Sequence, residues 1–154
     1  MATALLILHG LVAVALLGAI THQMLAVWTA AGGRPRSFFG RFRAVRPAGY
    51  ADAVVVLYGA AAVLGAVIYL HFKVDIQPIL ERDRHWRVLG VFDLKEDFAA
   101  IGFGLLPAYW ISWRPPLADE RGRTAAALTT ILGFIVWWNF LVGHVVNDAR
   151  GFGS

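Results

Sequence analysis

Three of the five histidines in this chain stand near the ends of long apolar runs, at His9, His71 and His144. A neutral imidazole ligates haem iron and transition metals, so histidines placed at one depth in a helical assembly are candidate ligands. Haem b held by two imidazoles needs them on different helices, facing a slot lined by small and aromatic residues. A zinc, copper or non-haem iron site would use the same rings with a carboxylate from Glu96, Asp97 or Asp148. The candidate cofactor residues are therefore His9, His71 and His144 for haem b. For a His-ligated transition metal they are His9, His71, Glu96, His144 and Asp148. Cysteine is absent, which removes disulfides, thiolate-held iron–sulfur clusters and covalently attached c-type haem.

The elements that must position these groups follow from composition. The chain of 154 residues is 58% hydrophobic and 16% charged, with a mean hydropathy of +0.62. A soluble domain of this size cannot bury so much apolar surface. Charges are absent from residues 4–29, 53–72, 98–113 and 124–147. An α-helix crosses a hydrocarbon core with about 17–25 apolar residues. The sequence thus predicts an all-α, polytopic integral membrane protein: one domain over 1–154, a bundle of four transmembrane helices near 4–29, 52–72, 96–113 and 124–147. The period-2 alternation of barrel strands is missing. The first run lacks a basic leader and exceeds a signal-peptide core in length, so it reads as a retained span.

Local signals set the boundaries. Asp93 and Glu96 form a D-x-x-E variant of the capping box, which predicts the start of the third helix. Pro107 lies inside that helix and should kink it, and Pro115–Pro116 ends it. Residues 78–90 mix Ile79, Trp86 and Leu89 with charges, as a short helix lying on the membrane surface would. The loop 30–50 carries Arg34, Arg36, Arg41, Arg43 and Arg46 without an acid, whereas acids balance the basic residues of the second loop. Positive-inside topology places loop 30–50 in the cytoplasm and both termini outside a cell inner membrane. The same topology accounts for the pI near 10 and leaves no case for nucleic acid.

That layout brings His9, His71 and His144 to one leaflet. At about 100° per residue, Gly133, Trp137, Phe140, Leu141, His144 and Asp148 share a face of the fourth helix. His9 shares one with Ala13, Leu16, Ile20 and Gln23, and His71 with Ala53, Leu57, Ala60 and Leu64. Small residues on these faces let helices approach or leave room for a flat ligand. A second haem between His9 and His22 is disfavoured, because thirteen residues turn the two rings roughly 140° apart. His22–Gln23 and Asn139 read first as partners in helix–helix hydrogen bonds, and the tryptophans as belt and packing residues.

In architecture and histidine placement, though in no sequence motif, the chain is similar to small four-helix membrane cytochromes of the b type. The expected function is a membrane redox protein or redox-complex subunit. It would bind one haem b near the outer face through His144 and His9, with His71 as alternate. Electrons would pass between an outer donor and a quinone or partner subunit of a respiratory chain. The alternatives are a metal-handling membrane protein and a non-catalytic accessory subunit of a larger respiratory or transport complex. No nucleophile–base set, phosphate loop or H-E-x-x-H motif supports hydrolysis, and whether the chain is an enzyme stays open.

Overall fold

The computed structural model describes residues 2–28, 37, 46–115 and 122–150, with side chains in the last helix as far as Val145. Asp148 and most of the Arg-rich loop 30–50 lie outside the described residues or side chains. Among the described residues the regular elements are all helical. They are α1 (Ala2–Trp28), α2 (Ala51–His71), the short α3 (Gln77–Arg82), α4 (Trp86–Ser112) and α5 (Gly122–Arg150). A 3₁₀ turn, Pro47–Tyr50, leads into α2, and a π-helical segment, Phe72–Ile76, joins α2 to α3.

Thr3–Trp28, Pro47–Arg82 and Gly122–Val145 are long and apolar enough to cross a membrane, and the chain is a membrane protein. The fourth long helix, α4, falls short of that measure because Asp93, Lys95, Glu96 and Asp97 interrupt its first half. The four long helices pack in a ring. Helix α1 lies on α2 and α5, and α4 lies on α5 and, more loosely, on α2. Their shared core contains Leu16 and Ile20 from α1, Val54 and Tyr58 from α2, Leu106 and Tyr109 from α4, and Leu132 and Val136 from α5. Large side chains such as Leu11, Val56, Leu70 and Phe134 stay more than half exposed on the outside of the ring, as lipid-facing residues do.

One boundary differs from the sequence reading. Helix α4 starts at Trp86, so Asp93 and Glu96 lie inside the helix rather than at its N-cap. The His85 carbonyl accepts the first helical bonds, from the amides of Val88 at 3.0 Å and Leu89 at 3.2 Å. The reason is tertiary. Phe72, Leu80 and Leu89 form a second small core that draws the surface segment onto the bundle and lets the helix begin early. Residues 78–90 are therefore divided between α3 and the first turn of α4. Arg84 makes the reversal between them with a positive φ of 60°.

The two ends of the bundle are built differently. Where α1 and α4 finish, cross-helix hydrogen bonds are dense. Gln23 is fully buried; it accepts from the Tyr109 hydroxyl at 2.5 Å and donates to the Pro47 carbonyl at 3.0 Å. Tyr50 and His22 pair at 2.8 Å. Four tryptophans donate across interfaces: Trp28 to Thr130 at 2.9 Å, Trp113 to Thr129 at 3.2 Å, Trp137 to Thr21 at 2.9 Å and Trp110 to Asp52 at 2.7 Å. Arg114 also binds Asp52 and stacks on the Trp110 ring. The opposite end, where α1 begins and α5 finishes, has fewer such bonds among the described residues, and the candidate site is there.

Candidate functional site

Between the helices at the terminal end is a cavity of about 640 Å³ that receives side chains from all four long helices. From α1 come Leu6, His9, Gly10 and Ala13, and from α2 Tyr58, Ala62, Gly65 and Ala66. Helix α4 contributes Lys95, Glu96, Ala99 and Phe103, and α5 Val136, Asn139, Phe140, Gly143 and His144. The size falls within the range of roughly 300–1,000 Å³ typical of small-molecule and cofactor sites. Small residues make the space. The predominance of alanine and glycine on the inner wall leaves a slot that leucines at the same positions would fill.

The polar groups collect toward one end. His9 packs against α2 so closely that a methyl placed on Gly65 would stand 3.4 Å from its Cε1. Its Nδ1 is buried without a hydrogen-bond partner. Asn139 donates from Nδ2 to the carbonyl of Ile135 in its own helix, at 2.8 Å. Its Oδ1 is left buried and unpartnered, so the helix–helix bond expected of this residue is not made. A buried polar atom without a partner costs on the order of 1–3 kcal/mol, which marks both atoms as waiting for something. Lys95 and Glu96 close the polar end as an ion pair at 2.6 Å, their side chains 17% and 35% exposed. The Lys95 ammonium also lies 5.0 Å from the centre of the Phe92 ring, and its stem reaches across to Gly143 of α5.

The structure brings His9, Glu96 and His144 to one cavity. It does not bring His71 there. That residue pairs with Asp75 one turn on, Nδ1 to carboxylate oxygen at 2.5 Å, with side chains 46% and 54% exposed. The geometry is an i,i+4 pair at a helix end, satisfied locally. Among the described residues no three His, Cys, Asp or Glu side chains converge as a metal-binding group would require. Glu96 is turned to Lys95 instead. Two imidazoles on different helices, His9 and His144, line one cavity whose wall is made of small residues with Phe103 and Phe140 among them.

Three site residues escaped the sequence reading. Lys95 looked like one charge of a balanced loop, and only the early start of α4 turns it inward. Tyr58, which forms the cavity floor, donates its hydroxyl to the Ala99 carbonyl at 3.0 Å. Its spacing from Ala62 and Ala66 was the available signal, a small-residue stripe along one face of α2. Asn139 was visible as a deep polar residue, but nothing in the sequence tells a bonded amide oxygen from an orphaned one.

No family model, curated protein or solved structure matches this chain.

Proposed function

We propose that this chain is a four-span membrane redox protein, or a redox-complex subunit, that holds one haem b in the cavity at its terminal end. His9 and His144 would hold it, each through its imidazole. The observation that carries this reading is that these two imidazoles, from α1 and α5, line one slot walled by small residues. The haem supplies reversible one-electron transfer. The chain's own residues hold and enclose it. The two histidines fix its position, Gly10, Ala13, Gly65 and Gly143 leave room for a flat ring, and Phe140 and Val136 keep water from one face.

In this reading α4 is the fourth span. Its uncharged stretch 98–113 lies in the hydrocarbon, and the Lys95–Glu96 pair sits at the polar mouth of the cavity. Loop 30–50, with its arginines, faces the cytoplasm of a cell inner membrane, which sets the haem near the outer surface. Electrons then pass between an outer donor and a quinone or a neighbouring membrane subunit.

A dithionite-reduced minus oxidised spectrum of the purified protein tests the proposal. The expected result is a b-type α-band, lost in His144→Ala and in His9→Ala and retained in His71→Ala. Absence of the band in the wild-type protein overturns the haem reading in favour of an accessory subunit, and metal analysis of the same sample decides the remaining alternative.

A further inference from the structure

The interface between α2 and α4 is the loosest of the four between neighbouring helices. At one end the Trp110 and Arg114 bonds to Asp52 hold it, and beyond them two aromatic contacts do. On the cavity floor Tyr58 donates to Ala99. Near the chain-terminal end Phe72 stacks on Phe92 at 4.0 Å, with Tyr69 parallel to the same ring at 6.2 Å. From Tyr58 to Tyr69 the helix rises about 16 Å. Over that interval α2 offers the cavity Ala62, Gly65 and Ala66, and α4 offers Ala99 and Ala100. These are small residues, and Lys95 and Glu96 line the cavity one turn earlier in α4.

The seam faces outward as well as inward. Val63 and Phe103 line the cavity and are 65% and 52% exposed, so the cavity wall runs continuously onto the outer surface. Around this mouth the surface is apolar: Val67, Leu70 and Ile101 are each at least 48% exposed. Residues 62–66 lie in the middle of the apolar segment Pro47–Arg82. Inside, the unpartnered atoms are His9 Nδ1 and Asn139 Oδ1. One Nδ2–H of Asn139 goes to Ile135, and its free Oδ1 is an acceptor that calls for a donor on the ligand.

We propose that the α2–α4 seam is a lateral entrance from the bilayer, used by a membrane-dissolved amphiphile. Its apolar body passes between Ala62, Ala66 and Ala99, and its polar head donates to Asn139 Oδ1. The inference goes beyond the haem reading, since it concerns the route and the physical class of the ligand.

The test uses the absence of cysteine. Ala62→Cys and Ala66→Cys each introduce a single thiol for a nitroxide label, with the protein reconstituted in phospholipid vesicles. Collision rates are measured with oxygen, which concentrates in the bilayer, and with a water-soluble nickel chelate. Val67→Cys serves as the lipid-facing reference and Leu132→Cys as the buried one. The expected result is an oxygen rate several-fold above the nickel rate at both seam positions, close to that at position 67. A nickel rate equal to or above the oxygen rate overturns the proposal, because the cavity then opens to water. Low rates with both reagents, as at position 132, also overturn it, because the seam is then sealed.

Discussion

Gly102→Ala tests the packing on which the cavity floor rests. In the middle of a helix this change ordinarily stabilises by about 1 kcal/mol, because glycine is a poor helix former. Here a Cβ would run into the Tyr58 hydroxyl; it would stand 2.8 Å from the ring carbon Cζ and 3.1 Å from Ile135 Cγ2. Tyr58 is 5% exposed, and moving its ring off Gly102 turns it toward the cavity that it lines. Forcing a methyl into a packed core costs roughly 1–3 kcal/mol. Displacing the ring also sacrifices the bond to Ala99, about 0.6 kcal/mol for an average hydrogen bond between membrane helices. The terms combine to a net destabilisation of about 0.6–2.6 kcal/mol. The assay is SDS titration from mixed micelles followed by far-UV circular dichroism. A double-mutant cycle with Tyr58→Leu sharpens it. Without the distal ring atoms only the helix-propensity gain remains, so Gly102→Ala should there stabilise by about 1 kcal/mol. Equal effects in the two backgrounds, within about 0.3–0.5 kcal/mol, would refute the contact between Tyr58 and Gly102.

Gly133→Ala meets an obstacle of another kind, since its Cβ would clash with the thioether of Met24. A methionine end repacks easily, so stability should stay within about 1 kcal/mol of wild type in the same titration. Gln23→Leu strands the Tyr109 hydroxyl and the Pro47 carbonyl together, and should cost about 2 kcal/mol, read against a milder Tyr109→Phe. Asn139→Leu removes an acceptor that has no donor, so the ligand-free protein should unfold no earlier than wild type. A loss above about 1 kcal/mol would mean that the amide oxygen has a structural partner.

The helical class and the apolar runs were legible because the bilayer leaves the backbone few options, and uninterrupted hydrophobicity is a one-dimensional signal. The start of α4 was not, because the D-x-x-E pattern describes only local bonding. The contact of Leu89 with Phe72 and Leu80 is made between residues far apart in sequence. The histidines divide along the same line. Depth follows from topology, and it placed His9, His71 and His144 at similar levels; azimuth depends on how the helices pack. His71 had Asp75 one turn away, a local partner visible in the sequence, and that pairing competes with any call toward the cavity. His9 and Asn139 had no such neighbour, and both keep an unpaired atom.

The contrast between the two ends of the bundle bears on how such a cavity is kept open. A ring of helices around a void loses dispersion contacts along the inner wall and tends to collapse. Collapse at the terminal end requires the helices to tilt inward, and tilting is resisted wherever they are fastened elsewhere. The Gln23–Tyr109–Pro47 bonds and the four tryptophan contacts supply that resistance at the other end, linking α1 to α5, α4 to α5 and α4 to α2. Hydrogen bonds between helices restrain position as well as adding energy, because each is lost within a small displacement. The dense polar end therefore acts as a clamp for the sparse one. On this account Gln23→Leu should do more than lower stability. At the far end it should bring α2 and α4 closer and reduce oxygen collisions at a nitroxide on Ala66→Cys. Unchanged collisions in a folded Gln23→Leu protein would show instead that the Tyr58 floor and the Phe72–Phe92 stack hold the seam apart without help from the clamp.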